Sequence, residues 1–338
     1  MSRKKIFYVG QLGVGTTSLD RLNAIKNNGF EADGLNVLMY QPKNRLLRSL
    51  MWRFQPSYLL TTLNQAILNA AISGKYNCAW IDKGVWIFPE TIEKLRQHCG
   101  FVLHFTPDPQ LLFHRSKHFI QSIPIFDCLV TTKSFEVDLY HRLHAKEVIL
   151  SQQSYCPRRY SNLASDSKYH AQIGFIGHYE KHYANTAQVL TDFPGLKIWG
   201  NGWSREGKFT LRNSKLTSFV QGSGVWGEQY PVALKSFDIG LGFLSKIIPE
   251  QHTTRSFEIP AAGTFLLAER TVEHLKFFDE GLEAEFFDSP EELRNKADYY
   301  LKNIDARKKI ALAGLNRCIK SGYDTDNVIK NILNKILI

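Results

Sequence analysis

A chain of 338 residues, 43% hydrophobic and 22% charged, has enough apolar material for two globular domains of ordinary size. No apolar run approaches the roughly 20 residues of a membrane span, and the opening Met1-Ser2-Arg3-Lys4-Lys5 leads straight into a strand-like Ile6–Val9, unlike a secretory signal. Five scattered cysteines without a C-x-x-C pair indicate reduced thiols in a cytoplasmic protein and argue against a metal site.

In chain order the spacing predicts strand Ile6–Val9, helix Thr17–Asn27, strand Asn36–Tyr40, helix Leu59–Ile72, strand Cys78–Ile81 and helix Pro89–His98. Strand Phe101–His104, a helix after Asp108, strand Cys128–Thr131, helix Phe135–Leu143 and strand Val148–Leu150 follow. The alternation breaks in Ser151–His170, which reads as a linker. It resumes with strands Ile173–Ile176, Leu196–Trp199, Ile239–Gly242, Thr264–Ala268 and Glu285–Phe287, then helices Pro290–Asn303, Ala306–Lys320 and Asp324–Ile338. Such alternation predicts parallel sheets in an α/β protein: two Rossmann-like domains facing each other across a cleft, over 1–165 and 166–322, with a terminal helix 323–338. The first half holds 20 Lys+Arg against 11 Asp+Glu up to Ser165, net +9, and the remainder 22 against 21, net +1. A basic first domain is expected to face something anionic.

Ligands of open α/β sheets bind beyond the carboxyl ends of strands, so the loops there hold the candidate residues. The first loop carries Gly10, Gly13 and Gly15, with Thr16 and Thr17 at the helix start. It follows neither the dinucleotide fingerprint nor the P-loop, and reads as a tight turn or as backbone that approaches a ligand. Lys43, Arg45, Arg48 and Arg53 interleave with Leu46, Leu47, Leu50, Met51, Trp52 and Phe54. That pattern suits a helix on an anionic membrane surface, a groove for a lipid-linked acceptor, or an ordinary amphipathic helix with a solvated basic face. No recognisable module supports nucleic-acid binding. Asp108, between two prolines after the strand Phe101–His104, is either a general base or the N-cap of a helix at Pro109. His104 reads as an interior histidine.

Glycine turns close the strands of the second half: Gly177-His178-Tyr179-Glu180-Lys181, Gly200-Asn201-Gly202 and Gly240-Leu241-Gly242 running on to Lys246. Then comes Pro249–Thr264, with Glu250 and Glu258 eight residues apart and His252, Thr253, Thr254 and Arg255 between them. A helix opening near Thr253-Thr254 places Glu258 one turn inside it and aims free amides, beside Arg255, at an anion.

The run Thr254-Arg255-Ser256-Phe257-Glu258-Ile259-Pro260-Ala261-Ala262-Gly263 resembles the spore-maturation CgeB-like group of GT-B glycosyltransferases. The likeness extends to Phe175-Ile176-Gly177, Trp199-Gly200-Asn201-Gly202-Trp203, Thr106-Pro107-Asp108-Pro109 and Phe287-Asp288-Ser289-Pro290. It implies a metal-independent, cofactor-free transfer of a sugar from a nucleotide-diphosphate donor to a glycan, lipid-linked or protein acceptor. The donor would lie on the second domain and the acceptor on the first. The Glu-x7-Glu spacing of Glu250 and Glu258 resembles that of retaining members, which implies Glu258 at the ribose and Glu250 near the donor sugar. Arg255, His252, Thr253, Thr254, Lys246, Lys181, His178 and the turn at Gly200 would surround the diphosphate, while Gly13, Gly15, Thr16 and Thr17 close over the donor or present the acceptor. An inverting enzyme would use Asp108 as base; in a retaining one the donor phosphate takes the proton. The terminal helix is expected to pack back near the first domain or to form a dimer contact. A sugar-nucleotide epimerase on the same two domains, or a binding protein without chemistry, are the alternatives.

Overall fold

The computed structural model describes residues 4–113, 115–203 and 214–337. It divides into two compact units, one of Met1–Gln152 with Thr325–Ile338 and one of Gln153–Asp324. Residues 153–165 thus go with the second unit and the terminal helix with the first.

The first unit holds a parallel six-stranded sheet: β1 (Lys5–Gly10), β2 (Glu31–Asn36), β3 (Cys78–Asp82), β4 (Val102–Thr106), β5 (Cys128–Thr131) and β6 (Val148–Leu150), in the order β2-β1-β3-β4-β5-β6. Its helices are α1 (Thr17–Asn27), α2 (Arg45–Phe54), α3 (Ser57–Gly74), α4 (Pro89–Cys99), α5 (Lys117–Ser122) and α6 (Val137–Arg142). Strand residues alternate between two cores. Phe7, Val9, Ala79 and Ile81 meet α3 and α4 through Leu63, Ile67, Ile92 and Leu95. Ile6, Tyr8, Cys78 and Trp80 share the opposite core with Leu22 and Ile25 of α1 and with Val328, Ile329, Ile332 and Leu333 of the C-terminal helix Thr325–Leu337. A parallel sheet covered on both faces needs largely apolar central strands, as β1 and β3 are, while the edge strand β2 carries polar residues.

Two elements differ from the sequence reading. Asn36–Tyr40 is not a strand: the chain pairs with β1 over Glu31–Asn36, and Val37–Tyr40 is a 3-10 helix whose start is capped by the Asn36 side chain. No helix begins at Pro109, where Leu112 and Phe113 bond back to the Pro109 carbonyl in an isolated turn, and α5 starts only at Lys117. Asp108 therefore does not cap a helix.

The second unit holds β7 (Ala171–Ile176), β8 (Leu196–Trp199), β9 (Val220–Gly222), β10 (Phe237–Gly242), β11 (Phe265–Glu269) and β12 (Glu285–Phe287), parallel in the order β12-β11-β10-β7-β8-β9. Its described helices are α7 (Pro157–Tyr160), α8 (Lys181–Ala187), α9 (Gln229–Lys235), α10 (Arg255–Ala261), α11 (Val272–Phe277), α12 (Pro290–Lys302) and α13 (Ile304–Lys320). Again two cores flank the sheet, one around Phe175, Leu241 and Leu267, the other around Ile176, Phe257 and Leu266.

Sheet order locates the crevices. From β7 the chain winds outward through β8 and β9, then returns to place β10 on the other side of β7. From β1 it goes to β2, then to β3 on the opposite side. The switch points lie between β7 and β10 and between β1 and β3, and ligand sites of such sheets sit there.

Candidate functional site

At the switch point of the second unit the turns are built from glycine. The Gly177 amide donates to the Trp199 carbonyl at 2.9 Å, the Gly200 amide to the Gly222 carbonyl at 3.1 Å, and Trp203 Nε1 to the Gly177 carbonyl at 2.9 Å. A Cβ on Gly200 would lie 1.7 Å from the Gly177 oxygen, so only glycine lets the turns after β7 and β8 come together. A Cβ on Gly177 would lie 2.6 Å from the Phe175 ring and 3.4 Å from Arg255 Nη1.

Arg255 is the first residue of α10, whose N-cap position is Thr254 and whose first turn contains Glu258. The Thr254 carbonyl accepts the amides of Phe257 and Glu258 at 3.0 and 2.9 Å. The Arg255 side chain reaches over the switch point: Nη2 donates to the Phe243 carbonyl just past β10 at 3.1 Å, and the guanidinium stacks on Phe175 at the end of β7, 5.4 Å from the ring centroid. Its Nε is buried and has no hydrogen-bond partner.

Glu258, one turn on, accepts a hydrogen bond from the Tyr230 hydroxyl at 3.0 Å. Burial raises its carboxyl above the ordinary value, against the lowering effects of Tyr230, Thr254, Arg255 and Arg159. Burial and the neighbouring Glu258 charge push the hydroxyls of Tyr230 and Tyr160 well up as well, so both remain protonated.

Three carboxylates secure the loop after β10. Glu269, at the end of β11, accepts the Leu244 amide at 2.8 Å and His182 Nε2 at 3.2 Å, and pairs with the half-exposed Lys246. Glu250 accepts the Ser245 amide at 3.1 Å. Glu180 accepts the Ser245 hydroxyl at 3.1 Å and contacts His178 Nε2 at 3.0 Å. The sequence reading placed Tyr230 on the rim but gave Glu269 and Glu180 no role of their own. The signal for Glu269 is present: an acid that directly ends a central parallel strand stands where such sheets present polar groups.

The remaining residues divide between the units. His178 and Lys181 are exposed beside Glu180 at the start of α8. The Thr253 amide donates to Ser256 Oγ at 3.1 Å and its hydroxyl is buried. His252 is only 2% exposed: Nε2 accepts the Gln153 amide at 3.1 Å and Nδ1 bonds Glu273. Its observed partners make His252 a brace for the chain entering this unit.

Gly13, Gly15, Thr16, Thr17 and Asp108 belong to the first unit. The loop closes on itself, with Thr16 Oγ1 2.8 Å from the carbonyls of Gln11 and Gly13 and accepting the Leu19 amide at 3.3 Å. Thr17 is exposed. Asp108 pairs with Lys83 at 2.5 Å. His104 is fully buried with Nε2 3.0 Å from the Lys83 carbonyl, and burial lowers its pKa to about 4, which keeps it neutral. The switch point of this unit is filled by a buried ion pair. Arg21 Nε and Nη2 bond Asp82 at 2.7 and 3.2 Å, and Tyr8 donates to the same carboxylate at 2.5 Å. Among the described residues no group of three or more His, Cys, Asp or Glu is arranged to hold a metal ion.

Two doubly wound parallel sheets of this order define the GT-B fold class. A family model described as glycosyl transferase-like matches residues 183–334, from within α8 into the C-terminal helix. Among solved structures the chain is similar to sucrose-phosphate synthase from Thermosynechococcus elongatus (12% identity, 98% of each chain covered, TM-score 0.68). It is also similar to HepE of Anabaena in complex with UDP-glucose (11% identity, 98% of this chain and 99% of that one, TM-score 0.65). A third is an enzyme described as a UDP-N-acetylglucosamine 2-epimerase from Listeria monocytogenes (10% identity, 99% and 96%, TM-score 0.59). No curated protein sequence matches the chain.

Proposed function

We propose that the protein is a glycosyltransferase that binds a nucleotide-diphosphate sugar at the switch point of the second unit and passes the sugar to a glycan, lipid-linked or protein acceptor. The observation that carries this reading is Arg255: a guanidinium at the β7–β10 switch point, anchored through one nitrogen and stacked on Phe175, beside Gly177. Breaking the bond between an anomeric carbon and a diphosphate builds negative charge on the leaving phosphates. A guanidinium held in place before that charge appears stabilises it without reorganisation. Lys246, whose half-exposed ammonium is tethered to Glu269, is a second cation on the same rim.

Glu258 takes the ribose in this reading, since a carboxylate one helical turn beyond Arg255 can accept two sugar hydroxyls. Glu250 stands near the donor sugar, next to the loop it braces. The motif Arg255-Ser256-Phe257-Glu258-Ile259-Pro260-Ala261-Ala262-Gly263 supports the narrower assignment to the CgeB-like group. UDP-sugars are the first donors to try, because a structure of the same fold holds UDP-glucose.

The test is calorimetry and product analysis with a panel of nucleoside diphosphates and their sugars. The proposal expects tight binding of one nucleoside diphosphate and transfer or slow hydrolysis of its sugar. Return of an altered sugar nucleotide without acceptor would assign an epimerase, and binding without turnover of any donor a binding protein. No binding by any member of the panel would reject the site.

A further inference from the structure

Helix α2 is built to be exposed. Asn44 caps it, with Oδ1 accepting the amides of Leu46 and Leu47 at 2.8 and 3.2 Å, and Gln55 ends it in the left-handed region at φ 51°. Both ends are secured, yet among its residues only Met51 is buried. Met51 and Trp52, which packs edge-on against Trp86 with centroids 4.5 Å apart, face the body of the unit.

At about 100° per residue, the face turned away from Met51 and Trp52 carries Leu46, Leu50 and Phe54 in one stripe. Leu46 is 79% and Phe54 63% exposed. Leu47 and, just beyond the helix, Tyr58 add to this apolar surface, which is unusual for a helix in contact with water alone. Lys43, Arg45, Arg48 and Arg53 are all exposed, and none forms an ion pair among the described residues. No carboxylate occurs in the sequence between Asp33 and Asp82, so no acid on this segment neutralises them.

We propose that α2 seats the protein on an anionic lipid bilayer, independently of the donor reading above. Leu46, Leu50 and Phe54 enter the acyl boundary and Arg53, beside that stripe, meets lipid phosphate through its long stem, while Lys43, Arg45 and Arg48 add positive charge close to the surface. Charge selects this occupant over a second copy of the chain, because two α2 faces would bring like charges together with no acid between them. Among the described residues no helix is long and apolar enough to cross a membrane, so contact through α2 would be peripheral.

The experiment is co-sedimentation of the full chain with phosphatidylcholine vesicles, with and without phosphatidylglycerol, at low and high salt. Binding should need the anionic lipid and weaken with salt. The double substitution Leu46→Glu, Phe54→Glu should lower it by more than tenfold, and Arg53→Gln by about fivefold, more than Arg48→Gln on the opposite side of the helix. Unfolding temperatures should hold, since none of these side chains is buried. Equal binding to neutral vesicles, no binding to anionic ones, or variants that bind like the parent would overturn the proposal. So would a dimer in sedimentation velocity that Leu46→Glu, Phe54→Glu dissolves, which would assign the face to a second copy.

Discussion

Both sheets reverse direction beside their first strand, and both carry an arginine at that point, yet the two arginines are used in opposite ways. Arg21 is buried against Asp82 with two hydrogen bonds, and Tyr8 takes up the same carboxylate, so the charge is closed inside the first unit. Among the described residues Arg255 hydrogen-bonds the Phe243 carbonyl and stacks on Phe175, its Nε is unpaired, and its charge acts on Glu258 without a hydrogen bond to it. A doubly wound sheet makes a crevice wherever its order reverses; which crevice can hold an anion depends on whether a carboxylate already occupies it. The first unit sets a buried ion pair at its switch point, and the second a guanidinium that no carboxylate hydrogen-bonds among the described residues.

The sharpest way to break this contrast is to remove Asp82. Asp82→Ala leaves Arg21 buried and unpaired, a change that typically costs about 3–5 kcal/mol. We expect a large fall in the urea midpoint, with nucleotide affinity retained in the protein that remains folded. A variant as stable as the parent would mean that the pair holds nothing together.

Gly200→Ala comes next. Both colliding atoms are main chain, so the turns after β7 and β8 must separate. An expected loss of about 3 kcal/mol should be accompanied by weaker nucleotide binding, and thermal unfolding with calorimetry reads both. Loss of stability without loss of affinity would move the ligand away from this turn.

Arg255→Ala should invert the Asp82 result: stability nearly unchanged, and affinity for the nucleoside diphosphate lower by about 2 kcal/mol, roughly thirtyfold, the size of a hydrogen bond to a charged group. Unchanged calorimetric affinity would falsify the placement of the diphosphate.

What could be read in advance follows from how local each feature is. Central strands such as β3 and β7 were legible because a strand covered on both faces must be largely apolar. β2 was not, since as an edge strand Glu-Ala-Asp-Gly-Leu-Asn carries polar residues, and the apolar Val37–Tyr40 beside it drew the assignment. Arg255 and Glu258 were legible because they share one helical turn with their motif. Glu269 was not, because its partners Leu244, Lys246 and His182 come from two other segments of the chain. Likewise nothing near Arg21 announces Asp82, which is 61 positions away. His252 stood inside the motif, but its partners Gln153 and Glu273 lie outside it.

The smallest effect concerns the protonation of Glu258, and it separates ribose binding from a purely structural carboxyl. Burial holds this group above its ordinary value of 4.5. A carboxyl raised in the folded protein contributes stability that is full below 4.5 and is lost as pH rises through the folded value. Ribose hydroxyls donating to the carboxylate favour the ionised form, so binding should release a proton from the fraction still protonated. An intact nucleotide sugar has no titrating phosphate in this range. Its affinity should therefore climb as pH rises and level off once the folded pKa of Glu258 is passed. Calorimetry in two buffers of different ionisation enthalpy measures the released proton directly. Glu258→Gln should give a flat profile at lower affinity, and a parent profile equally flat would remove Glu258 from the ribose.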